Sequence, residues 1–373
     1  MHVILAPTYD LAKQYAKEHR VDATVEAEYG DRVVKGEALT LAHHGPRANN
    51  PAPCNDPKAV KLPDDSTVMI SHLDLDTLGG ILALQGRKPE DQEFWDAAEY
   101  VDVNGPHHIY EFSGRIKDKL NAYYGFEFKM RNAEARLDRE HVTEVTDSVE
   151  KYGLGLYTLL DRRAPEKDRA QMIEEGRKWR NDVTRVVESR LVKENHSIRV
   201  FVTDGPFCNG SYYSPQQEAI IPAVISYNKK FHSITLSFED GGKNLSAKEI
   251  VQSLWGPEAG GRDGIAGSPR GQEMTIEDLE NATRTVEKAI REKEKEMNQK
   301  SPIEERGRKD VGALLKADRE KREKSQVKST SSPTKVNGEI RFNVAEMLRA
   351  AKERQAAAKK PQRKNVSRDE LER

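Results

Sequence analysis

Short apolar runs alternate with amphipathic stretches over residues 1–130. HVILAP, TVEAEY, EALTLAHHG, STVMISHLDLD and AEYVDVNG read as strands. TYDLAKQYAKEH, TLGGILALQG, EDQEFWDAAE and SGRIKDKLNAYYG carry apolar residues at helical spacing. Strands interleaved with helices predict an α/β domain on a mostly parallel sheet, residues 1–130. Residues 131–195 read as helices, NAEARLDREHVTEVTDSVEKYG and PEKDRAQMIEEGRKWRNDVTRVVESRLVKE, forming a helical connector. A smaller α/β domain is expected over 196–298. Its strands are SIRVFVTDG, EAIIPAVISYNK and HSITLSFED; the helix LSAKEIVQSLWG, a glycine-rich loop EAGGRDGIAGSPRG and a closing helix from 275 follow. Residues 299–373 hold a single aromatic, Phe342, and many Lys, Glu, Ser and Ala. That stretch offers little apolar surface against the entropy of ordering, so it is expected to be a disordered basic tail.

Charge sharpens this division. The whole chain sums to −1, yet residues 301–373 carry 20 Lys and Arg against 12 Asp and Glu. The tail is therefore +8, and residues 1–300, with 41 against 50, are −9. An acidic body argues against a long nucleic-acid track, which needs many basic contacts. The basic tail could supply contacts to nucleic acid or to a protein partner; a solubilising extension is the plainer account. Two cysteines far apart, Cys54 and Cys208, give neither a disulfide framework nor a thiolate zinc spacing. The first residues have no basic leader, and no apolar run approaches membrane-spanning length, so a cytoplasmic protein without a membrane partner is expected.

Five of the ten histidines fall between residues 43 and 108. His43 and His44 stand in AHHG, His72 in SHLDLD, and His107 and His108 in PHH. Each group follows an apolar run that reads as a strand. In a parallel sheet such groups meet at the carboxyl edge, where ligands bind. Asp74, Asp76 and Asp102 would join them. His72, Asp74 and Asp76 alternate, so they share one side of an extended segment. Gly79 and Gly80 would then permit a tight turn and close substrate approach. Imidazoles with carboxylates and no thiolates suit Mn, Mg, Fe or Zn. The candidate ligands exceed the needs of one ion, and a pair about 4 Å apart can activate water and clamp a phosphoryl group. The plainer account, a polar loop edge with hydrogen-bonded histidines, does not explain the concentration of histidine.

SHLDLDTLGGILAL resembles the first motif of the DHH phosphoesterase superfamily, and GPEAGGRDGIAGSPRG resembles the glycine-rich signature of its accessory DHHA1 domain. The two lie in the expected order, and the resemblance spans residues 40–275. It implies His72, Asp74, Asp76 and Asp102 as metal ligands, with two divalent ions, Mn first and Mg second. The family's Asp-His-His motif has two counterparts here: His107–His108 with Pro106 in the aspartate's place, and His43–His44 with Ala42 there. Both pairs stay open as ligands. A further aspartate is Asp147 or, second, Asp161. His107 and His108, with Asp76, are the implied catalytic groups. Gly260, Gly261 and Arg262, which replaces the usual histidine, together with Arg270, are implied to cradle a substrate phosphate.

The function this implies is metal-dependent hydrolysis of phosphodiester or phosphomonoester bonds in a nucleotide or short oligonucleotide, in a protein that could be a homodimer. Two alternatives stand beside it. One is a catalytically degenerate nucleotide-binding relative. The other is a metallo-β-lactamase-fold nuclease, suggested by LTLAHHGPR but short of that fold's histidines.

Overall fold

A computed structural model of the protein describes residues 1–133, 140–205, 207 and 209–300. Residues 301–373 of the expected tail and Cys208 lie outside the described residues, while residues 299 and 300 of that stretch end the last helix. The N-terminal sheet uses β1 (His2–Leu5), β2 (Ala23–Val25), a small hairpin of β3 (Glu28–Tyr29) and β4 (Arg32–Val33) beside it, β5 (Leu39–Leu41), β6 (Thr67–Ile70) and β7 (Thr143–Glu144). The sheet order is β5-β2-β6-β1-β7, parallel except for β7. Val3, Val25, Val68 and Ile70 are fully buried, as strands covered on both faces should be.

Six helices surround this sheet or extend from it: α1 (Tyr9–Glu18), α2 (Leu75–Leu84), α3 (Gln92–Asn104), α4 (Gly114–Ala133), α5 (Thr146–Leu160) and α6 (Glu166–Glu188). Helix α1 starts where Thr8 Oγ1 accepts from the Leu11 amide, and its Ala12 packs with Met69 on one sheet face. Helices α2 to α5 form the larger core on the other face, around Trp95, Leu78, Tyr123 and Leu156. Helix α6 leans on α4, where Gly176 lies against the backbone of Ala122.

The C-terminal unit adds β8 (Leu191–Glu194), β9 (Ile198–Thr203), β10 (Tyr213–Ser214), β11 (Ala219–Ile220), β12 (Ala223–Asn228), β13 (Ser233–Phe238), α7 (Ala247–Trp255), β14 (Gly260–Gly261), β15 (Ile265–Gly267) and α8 (Ile276–Lys300). Its main sheet runs β14-β15-β13-β12-β9-β8. Leu279, Ala282, Val286 and Ile290 repeat at helical spacing, and this stripe of α8 closes the second core. The sequence-level architecture therefore holds: an α/β unit on a mostly parallel sheet, a helical middle region and a smaller α/β unit.

Several local expectations are corrected. AEYVDV is not a strand but the last turns of α3. Asp91 caps that helix at the Phe94 amide, and Phe94, Trp95, Ala97, Ala98 and Val101 bury one helical stripe, which overrides a six-residue alternation. TVEAEY breaks after Val25, because Glu26 takes a left-handed backbone at φ 49°. The helical reading of 131–195 contains β7, which adds an antiparallel edge to β1, and Leu191–Glu194 of the same stretch form β8. The glycine-rich loop is a short hairpin, β14–β15, in which a Cβ on Gly261 (φ 150°) would come within 2.4 Å of the Ile265 carbonyl oxygen.

Gly79 and Gly80 make no turn; they lie inside α2. A Cβ on Gly79 would come within 2.5 Å of Cys54 Cβ and 2.7 Å of the Trp95 ring. Both neighbours are buried. Gly79→Ala is expected to cost roughly 1–3 kcal/mol by overpacking, despite alanine's better helix propensity. Chemical denaturation of the full chain measures it, and an unchanged midpoint would show that Trp95 can move aside.

Candidate metal centre

Three adjacent strands end in register. Val25 of β2 pairs with Leu41 of β5 on one side and with Ile70 of β6 on the other. The residues that follow are therefore neighbours at one sheet edge: Glu26, then Ala42 to His44, then Ser71 and His72. The Glu26 amide bonds the Leu41 carbonyl at 2.8 Å, and Ser71 Oγ donates to the Glu26 carbonyl. Glu28 fixes the histidine pair from behind. Its carboxylate accepts from the backbone amides of His43 (2.9 Å) and His44 (3.1 Å) and from Arg47 Nε. Helix α2 begins immediately after β6. Asp74 is its N-cap, with Oδ1 accepting from the Thr77 amide at 3.2 Å, and Asp76 sits in its first turn. Asp102 arrives from the last turn of α3.

These segments bring seven side chains together: Glu26, His43, His44, His72, Asp74, Asp76 and Asp102. His43 Nε2 lies 2.5 Å from Glu26 Oε1, 3.2 Å from Asp76 Oδ2 and 3.4 Å from Asp102 Oδ2. His44 Nε2 is 3.2 Å from Glu26 Oε1, and His72 Nε2 is 3.1 Å from Glu26 Oε2 and 2.9 Å from Asp74 Oδ2. Glu26, His43 and Asp76 are almost wholly buried, whereas His44 and His72 are part-exposed. The centre thus has a buried floor and a face open to solvent.

Proximity here is not hydrogen bonding. Glu26 Oε1, His43 Nε2, Asp76 Oδ2 and Asp102 Oδ2 are buried without an aligned hydrogen-bond partner despite their short separations. Four unsatisfied polar atoms on four different residues, all facing one another, are costly unless something sits between them. A cation would take their lone pairs, so the residues fit metal binding. Their overlapping triads, Glu26–His43–Asp76, Glu26–His44–His72, His43–His44–Asp102 and Asp74–Asp76–Asp102, share members. Four carboxylates and three imidazoles make a ligand set suited to divalent cations.

Titration in the cation-free protein follows the crowding. Burial alone would raise the Glu26 carboxyl, but His43, His44 and His72 hold it far below the usual carboxylate range. Burial alone would lower His43, yet Asp76 and Glu26 raise it to about 10. Burial likewise opposes His72, which Asp74 and Glu26 raise to about 11. Burial drives Asp76 well up, with Asp74 and Glu26 adding to it against His43. Burial, then Asp74 and Glu26, lift Asp102 to about 6.

The remaining sequence candidates lie elsewhere. His107 and His108 occupy the 3-10 helix Pro106–Glu111 and gather with Glu239, a set that shares no member with the centre above. Asp147 is exposed in the first turn of α5. Asp161 ends that helix and is held by Arg163 at 2.8 Å. Neither joins a cation-capable set among the described residues. Gly260, Gly261, Arg262 and Arg270 are exposed on or just after the β14–β15 hairpin. Glu26 is the central residue that sequence reasoning missed. Its signal was positional: an acidic residue directly after the apolar end of a parallel strand, as with His43 and His72.

No protein-family profile matches the chain, and no curated protein sequence matches it. Among solved structures, a pGpG-specific phosphodiesterase, PggH from Vibrio cholerae, aligns over 75% of this chain and 87% of its own at 10% identity and a TM-score of 0.37. An exopolyphosphatase-related protein from Bacteroides fragilis covers 76% of each chain at 11% identity and a TM-score of 0.26. An uncharacterized protein from Helicobacter pylori G27 covers 76% of this chain and 86% of its own at 10% identity and a TM-score of 0.20. Similarities this loose give no residue-by-residue correspondence. No described helix is long and apolar enough to cross a membrane.

Proposed function

We propose that this protein is a divalent-metal-dependent phosphoesterase acting on small nucleotides or short oligonucleotides, with Mn or Mg as its cations. The observation that carries the reading is the set of buried, unpartnered oxygen and nitrogen atoms on Glu26, His43, Asp76 and Asp102 at the carboxyl edge of the sheet. Such ions polarise phosphoryl oxygens and lower the pKa of water. The chain supplies the rest. Glu26, His43 and Asp76 form the rigid floor; His44, His72, Asp74 and Asp102 complete the ligand set toward solvent. The N-terminus of α2, opened by Asp74, adds a positive dipole end at the side where a phosphate would approach. Arg262 and Arg270 are proposed to hold a distal phosphate, with Gly260 and Gly261 shaping the hairpin. The resemblance of SHLDLDTLGG and GGRDGIAG to the DHH and DHHA1 motifs favours the same chemistry, and the −9 charge of residues 1–300 favours a small substrate over a long polymer.

The test is a hydrolysis panel of short RNA, short DNA, 3′-phosphoadenosine phosphate and a cyclic dinucleotide, with Mn, Mg or EDTA. Cation-dependent turnover of at least one substrate is expected, falling at least about 100-fold in Asp74→Ala. Tight nucleotide binding without turnover would replace this reading with a nucleotide-binding one.

A further inference from the structure

His107, His108 and Glu239 meet where the two α/β units touch. The histidines sit in Pro106–Glu111, just after α3, and Glu239 follows the last residue of β13, its amide bonded to the Pro222 carbonyl at 2.9 Å. His108 Nε2 is 2.9 Å and His107 Nε2 is 3.7 Å from the same oxygen, Glu239 Oε1. His107 is 4% exposed, and neither of its ring nitrogens has a hydrogen-bond partner. A plain latch between the units needs only His108 and Glu239. It gives no reason to bury a second imidazole with both nitrogens unsatisfied.

The surroundings hold that imidazole in place. Gly105 adopts φ 105°, and a Cβ there would come within 2.7 Å of the His107 ring. The Tyr212 ring, from the C-terminal unit, packs against it with ring centres 4.8 Å apart. Behind His108, Glu111 Oε2 stands 3.0 Å from Nδ1, though off the hydrogen-bonding axis.

We propose that His107, His108 and Glu239 form a separate site for a borderline transition cation, zinc by its ligand chemistry, which fastens the two units together. Two imidazoles and one carboxylate make a three-ligand zinc set, leaving one position for water or another small donor. The three ligand atoms already lie within 4.8 Å of one another. The site is independent of the proposed hydrolytic centre, because the two share no residue. Zinc here would couple the arrangement of the two units to cation supply.

The experiment uses the full chain in an Asp74→Ala background, and uptake is read as the difference between each added variant and that parent, so that cation still held by the first centre cancels. Protein stripped with a chelator is titrated with Zn²⁺ against a chromophoric competitor, and thermal unfolding is followed with and without the ion. About one equivalent attributable to this set is expected, with a rise in Tm on zinc addition. Adding Glu239→Gln should remove that equivalent and the Tm rise. Adding His107→Phe should also remove both, while the stripped protein keeps or gains stability because two unsatisfied nitrogens disappear. Equal zinc uptake with and without these changes would overturn the proposal, as would a Tm rise that persists in both. The His107→Phe arm stands even if Glu239→Gln fails to fold, since His107 gives up no hydrogen bond.

Discussion

Glu26→Gln is expected to lower divalent-cation affinity at the first centre at least about 100-fold, and with it any hydrolysis. Glutamine keeps the shape but removes a ligand shared by two of the overlapping triads. It also removes the negative charge that faces His43, His44 and His72. In the stripped protein those imidazoles then lose their common counter-charge within a buried setting. Breaking a buried pair from one side costs about 3–5 kcal/mol. That loss should be largest below pH 6.5, where the histidines carry protons in both folded and unfolded chains, and smaller at alkaline pH. Metal titration and urea unfolding at pH 6 and pH 9 read both effects. Wild-type cation affinity in Glu26→Gln would remove Glu26 from the centre altogether.

The sequence exposed this centre unevenly, for physical reasons. His72, Asp74 and Asp76 were legible because a β-strand passing directly into a capped helix leaves a visible signature: alternation, then an N-cap residue. His43 and His44 were legible as a polar pair after an apolar run. Glu26 was not, because two acidic residues alternating in EAEY look like a solvated strand face; only the in-register ends of β2, β5 and β6 reveal that Glu26 points inward. Asp102 was picked out for the wrong reason. It does not end a strand; it reaches the site because the last turns of α3 lie beside the sheet edge that carries His43, with Asp102 Oδ2 3.4 Å from His43 Nε2.

The second cluster shows a stricter limit. His107 and His108 stood out by type, but their partner Glu239 is 131 residues from His108 in the chain. Nothing in the local pattern TLSFEDGG marks that glutamate. The two tyrosines of SYYSPQQ behave similarly. Tyr213 stacks on Tyr110 with ring centres 3.5 Å apart, and Tyr212 covers His107. Contacts between units depend on how two finished folds meet, and local periodicity carries no record of that.

Cation binding to the first centre is expected to release protons and to strengthen steeply with pH. His43 and His72 are raised from 6.5 to about 10 and about 11 in the cation-free fold, so both are protonated at pH 8. A folded-state value above the unfolded one means their ionic contacts stabilise the stripped protein fully below pH 6.5 and fade as pH rises through 10 to 11. A metal needs the neutral imidazoles, so each ion displaces protons that Glu26, Asp74 and Asp76 had been holding. Release of two protons makes the affinity rise about 100-fold per pH unit between pH 7 and pH 9. The carboxylates reinforce the trend, because Asp76 is also raised and must ionise to bind. Calorimetric titration in buffers of different ionisation enthalpy counts the protons directly. His72→Gln should reduce that count by about one and flatten the pH slope about tenfold per unit. An affinity that does not change from pH 7 to pH 9 would mean that the histidines are already neutral, and that the close contacts around Glu26 are not ionic in the absence of metal.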